Sequence, residues 1–463
     1  MIRIFRHYVP RSLAMLGMAE ALCLLAAVEG AARLRFLDLA ISAGPPSARL
    51  PQDLTFVLVT YVSMLAVGLY QFEHCRDMRM TLVRMIAAWV FALVAMSVVF
   101  YLFPDVSLWR SISLYALVIS FFGIAFIRFL FSRFVDLDAL KRRVLVLGAG
   151  QRAARLGELE RATPTADFTV VDYVRMHPNE QAIATAIPRE SIDNLSALIE
   201  RDTISEVVLA LDERRGALPV GDLLEARLRG TRIIEVGDFL ERQTGRVDLD
   251  TLRPSIIIFS DDFRVGTRIN MVLKRLFDIV ASLLLLVFSF PVLVVAALAV
   301  KLTSPGPVLF RQTRVGQFGV HFQVLKFRSM REDAEKDGQP RWAASDDARI
   351  TAAGKILRAA RIDEIPQIFN VLKGDMSFVG PRPERPYFVD SLSREIPYYA
   401  ARHSVKPGIT GWAQLNYPYG ASVEDARAKL EYDLYYVKNY SIFLDILILI
   451  QTVRVVIWQD GVR

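Results

Sequence analysis

Residues 275–301 read RLFDIVASLLLLVFSFPVLVVAALAVK. At about 1.5 Å per residue the run is long enough to cross a hydrocarbon core of about 30 Å. How it sits in a membrane decides on which side the residues after it work. Both flanks are basic, with Lys274 and Arg275 before the core of the run and Lys301 and Arg311 after it. Positive charge favours the cytoplasmic side of a membrane. Near the middle stands Pro291, which has no amide hydrogen for a helix and can bend or break one. Two arrangements satisfy these residues. In one, the run enters, turns at Pro291 and leaves on the same face; in the other, it is a Pro-kinked span.

The whole chain has a membrane-like composition. It has 463 residues, too many for one ordinary domain. Hydrophobic residues make up 53%, and the mean hydropathy is +0.32. The net charge is +7, which suits anionic lipid headgroups or phosphorylated substrates; nucleic acid is not expected. Only two cysteines occur, Cys23 and Cys75, and neither has a CxxC partner. A disulfide framework or a zinc site is therefore not expected.

Four apolar stretches, roughly 13–32, 54–72, 82–103 and 108–131, predict a four-helix transmembrane region over residues 1–135. Glu20 and Glu29 lie inside the first, and are expected to face the bundle interior, or for Glu29 the interface. Arg3, Arg6 and Arg11 precede the first stretch, Arg76, Arg79 and Arg84 separate the second from the third, and Lys141, Arg142 and Arg143 follow the fourth. That distribution puts both ends of the region in the cytoplasm. The first stretch leads into further apolar runs, so a cleavable signal peptide is not expected.

Next comes RRVLVLGAGQRAARLGELE, residues 142–160, a strand-like run entering a glycine turn and a helical pattern. Further strand-like runs at 168–174, 206–211 and 232–236 predict a parallel, Rossmann-like α/β domain over 142–250, followed by a linker at 251–269. GAGQRA, residues 148–153, resembles a dinucleotide fingerprint through Gly148 and Gly150, with Asp172 spaced for a ribose. A lone pattern of this kind carries little weight against a structural α/β domain, and a bound dinucleotide stays open.

The densest chemistry lies in RIDEIPQIFNVLKGDMSFVGPRPE, residues 361–384. Asp363 and Glu364 are neighbours, so on a helix they point about 100° apart and cannot mirror each other across a substrate. They can do two jobs at one site. One carboxylate can attack phosphorus while the other holds Mg²⁺ against a diphosphate. A diphosphate also needs cations, and the candidates are Lys326 and Arg328 in FQVLKFRSM, Arg358, Arg361, and Arg382 between two prolines. An isolated Asp-Glu pair is usually a salt-bridged helix end; the crowd of Arg, Lys, Gly and Pro around this one argues for a site.

KRLFDIVASLLLLVFSFP, SPGPVLFRQTRVG, FQVLKFRSM, DEIPQIFNVLKGDMSFVGPRPE, KPGITGWAQLN and EYDLYYVKNYS occur in that order. Together they resemble the bacterial sugar transferase domain of monotopic phosphoglycosyl transferases, over residues 270–463. The preceding membrane region and α/β domain resemble the large members of that family, which start exopolysaccharide and O-antigen assembly. The resemblance implies transfer of a sugar 1-phosphate from a UDP-sugar to polyprenyl (undecaprenyl) phosphate, releasing UMP. It implies a covalent phosphosugar on Asp363, with Glu364 tied to Mg²⁺ or Mn²⁺. It further implies phosphate contacts from Lys326, Arg358 and Arg382, and a further acid at Asp433. The fold implied is a mixed α/β catalytic domain on a re-entrant membrane helix, 275–301, broken at Pro291. In the family a Ser immediately precedes that proline; here Phe290 does, and Ser289 stands one place earlier. The implied setting is the bacterial inner membrane with both domains on the cytoplasmic face; the oligomeric state stays open, with a homodimer through the N-terminal regions as one arrangement. Two other functions fit parts of the sequence. One is a membrane-bound NAD-dependent sugar-nucleotide-modifying enzyme, although residues 142–250 lack a Tyr-x-x-x-Lys pair. The other is a non-catalytic scaffold for polysaccharide export.

Overall fold

A computed structural model describes residues 2–4, 7–9, 11–38, 46–70, 78–134, 141–163, 167–213, 218–252, 254–259, 263, 268–331, 349–418, 420 and 422–458. After its first seven residues the chain divides into two units, at Thr251 and Leu252.

The first unit opens with helices Arg11–Asp38, Pro46–Ala66, Met78–Leu102 and Arg110–Phe134. Among the described residues four segments are long and apolar enough to cross a membrane: Leu13–Phe36, Arg79–Leu102, Arg110–Arg133 and, in the second unit, Ile269–Thr303. The stretch expected at 54–72 is not among them. Its helix starts at Pro46, carries Arg49, Pro51 and Asp53 in its first turns, and stops at Ala66. Residues 67–70 form turns instead. Arg84 donates to the Gly68 carbonyl at 3.2 Å and Arg128 to that of Leu69 at 3.1 Å. Those two arginines fix the turn that ends the short helix. Glu20 is fully buried, 2.6 Å from Arg128 Nε, and accepts from the Tyr70 hydroxyl at 2.5 Å. A buried acid is tolerable when paired and hydrogen-bonded in this way. Glu29, partly exposed, pairs with Arg33 at 2.9 Å and Arg49 at 2.6 Å. Cys75 and Arg76 lie outside the described residues.

The rest of this unit holds a five-stranded sheet. Its strands stand in the order Ile187–Pro188, Phe168–Arg175, Arg142–Leu147, Glu206–Leu209, Arg232–Glu235, and all neighbours are parallel. The central strand explains the apolar run in the sequence. Val144 and Val146 pack on one side against Leu156 and Phe239, whereas Leu145 and Leu147 pack on the other against Leu195 and Leu223. A strand covered on both faces loses the polar alternation of a half-exposed one.

The second unit begins in the stretch expected as linker, which contains a short helix, Pro254–Phe259. The apolar run is the core of helix Arg268–Thr303, 36 residues long. Its first turns are locked into the unit. Lys274 Nζ lies 3.0 Å from Asp278 and 2.9 Å from Asp445. Asp278 accepts from the Ser377 hydroxyl and the Phe378 amide, both at 3.0 Å. Arg275 donates to the carbonyls of Val371 and Leu372 at 2.6 and 2.7 Å, in the last turn of helix Ile368–Lys373, where a cation also suits the helix dipole. The far end returns to the same unit, with Ala296 and Val300 packed against Phe327 and Leu357. Between the two ends Leu283, Leu284, Val287, Phe288 and Phe290 are exposed.

The helix is uninterrupted through Pro291, where the sequence predicts a break. The lost amide hydrogen bond and the ring's clash, together about 3 kcal/mol in a helix interior, do not end the helix here. Ser289 bonds its hydroxyl to the Leu285 carbonyl at 2.6 Å and takes no part in the site described below.

Candidate active site

Three segments of the second unit converge. Strand Leu309–Val315 pairs antiparallel with His321–Phe327, which carries Lys326 near its end. Helix Ala352–Ala359 is followed by Arg361 at φ 56°, which turns the chain into the short helix Ile362–Gln367. A bulky residue in the left-handed region is uncommon and costs of order 1 kcal/mol; here it delivers Asp363 and Glu364. Strand Ser377–Val379 pairs in parallel with Gly408–Thr410 and leads into the loop that holds Arg382.

Glu364 is the hub. Its Oε1 accepts from Lys326 Nζ and from Arg382 Nη2, both at 2.7 Å, and Arg361 stands 3.8 Å from its Oε2. Burial alone raises a carboxyl, but the charges of Arg382 and Lys326 and their hydrogen bonds hold Glu364 well below the usual carboxylate range. Burial lowers Lys326 from its ordinary range; Glu364 opposes this and Arg382 adds to it. Asp363 is the opposite case. It is 8% exposed, and among the described residues no hydrogen bond or ion pair holds its carboxylate. Burial first, and then the charge of Glu364, push it up, against Lys326, Arg358 and Arg361. Adjacent carboxylates have thus been given different states, one clamped and ionised, the other desolvated and uncommitted.

The other expected site residues fall in different places. Arg358 and Arg361 act on Asp363 through charge, and Arg361 is about half exposed. Arg328 does not join the cluster. It is buried, and its Nη2 donates to the carbonyl and hydroxyl of Ser304, both at 2.8 Å, beyond the C-terminal end of the long helix. Asp433 does not face the carboxylate pair either. It is buried against Arg402 at 2.7 Å, and Arg402 in turn donates to the Arg382 carbonyl at 3.0 Å. On the same loop Arg314 donates to the Pro383 carbonyl at 2.9 Å. Arg402 and Arg314, neither evident from the sequence, therefore hold the backbone that presents Arg382. Asn370 is a third such support: it accepts from the Leu325 amide at 2.9 Å and donates to the Gln323 carbonyl at 2.7 Å, fixing the strand of Lys326.

Among the described residues no three His, Cys, Asp or Glu side chains come together. A divalent ion at this site would rest on Asp363 and Glu364 plus oxygens of a substrate. That donor set fits a hard cation such as Mg²⁺, which takes one or two carboxylates with phosphates and water.

The glycine turn of the first unit is differently equipped. Gly148 has φ +129°, and a Cβ on Gly150 would lie 1.9 Å from Asp212 Oδ2. Asp212 occupies that space, and accepts from the amides of Gln151 at 3.0 Å and Arg152 at 3.3 Å. Glu180 takes the Ala149 amide at 3.1 Å. The amides that a diphosphate needs at a helix N-terminus are bonded to the chain's own carboxylates. Asp172 sits within its strand, opposite Leu145, and not at the strand's carboxyl end where a ribose would lie. This turn does not fit a dinucleotide.

Residues 269–459 match the bacterial sugar transferase family, and residues 65–218 match a family described as CoA-binding domain. The capped amides of the glycine turn do not fit the diphosphate of CoA any better than that of a dinucleotide. The chain is 43% identical over 231 residues to a UDP-N-acetylgalactosamine-undecaprenyl-phosphate N-acetylgalactosaminephosphotransferase of Aeromonas hydrophila, covering 50% of this chain and 53% of that one. It is 47% identical over 192 residues to a UDP-glucose:undecaprenyl-phosphate glucose-1-phosphate transferase of Caulobacter vibrioides, covering 41% and 71%. A protein of the same description from Xanthomonas campestris pv. campestris is 33% identical over 342 residues, covering 69% and 67%. The chain therefore spans about half the length of the Aeromonas relative and about two thirds of the others.

Proposed function

The chain belongs to the bacterial sugar transferase family, and we propose that it moves a sugar 1-phosphate from a UDP-sugar to polyprenyl phosphate, releasing UMP and starting exopolysaccharide or O-antigen-type assembly. The observation that carries this reading is the uncommitted carboxylate of Asp363 beside a Glu364 clamped by Lys326 and Arg382. An Asp363 oxygen attacks the β-phosphorus of the UDP-sugar. The bond from that phosphorus to the bridging oxygen breaks, and UMP leaves with the electron pair. The polyprenyl phosphate oxygen then attacks the same phosphorus and frees the carboxylate. Both displacements use one phosphate position. Arg382 and Lys326, held on Glu364, are placed to balance the diphosphate's charge. A divalent cation, when bound, supplies further neutralisation of that diphosphate.

Two substrates from different phases must meet here, which bears on topology. Both ends of the long helix pack on one folded unit, and its middle exposes only large apolar side chains. That supports a helix that bends without breaking and enters and leaves on one face, with Asp363 at the cytoplasmic surface where UDP-sugars are made. With Cys23 and Cys75 removed, Lys373→Cys, at a three-quarters exposed side chain, should resist impermeant thiol reagents in intact cells and react after lysis. Labelling from outside would place the site across the membrane from its substrate.

The direct test supplies purified protein with undecaprenyl phosphate and a panel of UDP-sugars, and reads UMP release. One UDP-sugar should support lipid-dependent turnover that EDTA abolishes and Mg²⁺ restores. No UMP from any sugar in the panel refutes the reading; full activity in chelator refutes its metal part.

A further inference from the structure

Between the second half of the long helix and helix Ala352–Ala359 runs a groove of about 590 Å³. Pro291, Val295 and Ala299 line one wall, and Ala352, Ile356 and Ile362 the other. Its floor includes Ala296 and Leu357, which belong to a buried cluster with Phe327. The groove is open along one side and is not an enclosed cavity. Here alanines at facing positions keep it open.

The groove's position limits what can fill it. Ile362 lines it, and the next residue is the proposed nucleophile, Asp363. Arg358 and Arg361 follow and precede the lining residues Leu357 and Ile362 in sequence, and both act on Asp363 by charge. A molecule in the groove would therefore lay an apolar chain along the long helix and bring an anionic end to Asp363. Allowing about 30 Å³ per heavy atom, the share a water molecule takes in the liquid, the space holds about 20 atoms, or about four five-carbon units. A diacyl phospholipid is a poorer fit. It would bring two chains, and its ester oxygens would lie unpaired against apolar walls.

We propose that this groove binds the isoprenoid units nearest the phosphate of the polyprenyl phosphate acceptor. The proposal rests on the transfer reaction above and names where its second substrate lies. Asp363 is buried, and the groove reaches Ile362, one residue before it. An acceptor chain lying there is beside the nucleophile, and the apolar lining strips water from that chain as its phosphate arrives.

The test measures KM for geranyl, farnesyl, geranylgeranyl and undecaprenyl phosphate with the full-length protein in detergent micelles. In the unaltered protein KM should fall with chain length up to about four units and then level off. Ala299→Phe and Ala352→Trp fill the groove from opposite walls, and Ala299→Leu is a milder version. Each should raise KM for geranylgeranyl phosphate, at least about ten-fold in the two larger variants, and end the chain-length advantage at a shorter acceptor. An unchanged chain-length profile in these variants, each with an unfolding midpoint near that of the unaltered protein, would show that bulk lipid fills the groove and overturn the proposal. UMP exchange into UDP-sugar by the unaltered protein needs no lipid. Its absence would instead sink the transfer reading itself, so the two failures are distinguishable.

Discussion

Asp363→Asn is expected to lower sugar-phosphate transfer by about four orders of magnitude or more, about 5.5 kcal/mol of barrier, without destabilising the protein. An amide cannot form the acyl-phosphate, and the other acids already placed near the cluster among the described residues are committed: Glu364 to Lys326 and Arg382, and Asp433 to Arg402. The stability half follows from the direction in which Asp363 is shifted. Burial, then the charge of Glu364, raise its folded pKa above the unfolded value. A raised acid contributes most to stability when protonated, and that contribution is lost as pH climbs from the ordinary carboxylate range through the raised value. At neutral pH the ionised side chain is therefore a cost, which the isosteric amide removes. Purified variant protein should show no lipid-dependent UMP release and an unfolding midpoint equal to or above that of the unaltered protein. Near-normal turnover would remove Asp363 as nucleophile, and a large drop in midpoint would make it a structural residue.

Some of this site is legible in the sequence because its residues are close together. Asp363, Glu364 and Arg382 fall within 20 positions, and local density of charge and proline marks them. Where each side chain points is less legible. Arg328 follows Lys326 by two, and in a continuing strand the pair would share a face. The strand ends at Phe327, so Arg328 swings to Ser304 instead. Asp172 has the spacing of a ribose-binding acid, but a register shift between Val144 and Leu145 and the length of its strand leave it short of the strand's end. Asp212 cannot be foreseen as the occupant of the glycine turn, because it lies about 60 residues from the amides it takes. The apolar run at 275–301 is plain from composition. Its anchoring by Asp278 and Asp445 is not, since the partners are about 100 residues or more away. Pro291 shows the limit of a local rule: the helix runs through it unbroken.

Glu364→Gln is the contrasting expectation, a variant both inactive and less stable. Glu364 provides the negative charge that lets Lys326 and Arg382 approach one oxygen at 2.7 Å each. With a neutral amide there, two cations face each other in a site from which water is largely excluded. Breaking a buried ion pair by removing one partner costs about 3–5 kcal/mol. Arg382 is about a third exposed and Lys326 about a fifth, so solvent screening brings the expected loss to about 2 kcal/mol. For a unit of this size that is a fall of about 4–8 °C in unfolding midpoint. Activity should fall by about three orders of magnitude or more, because the two cations that face the diphosphate are no longer held. Lys326→Gln added to Glu364→Gln removes one of the opposed charges. The double variant should regain part of the midpoint and none of the activity. If Glu364→Gln proves as stable as the unaltered protein, the three-residue cluster is not the electrostatic hub described here. If the double variant regains turnover, Lys326 has no part in the chemistry, and Arg382 alone balances the substrate's charge.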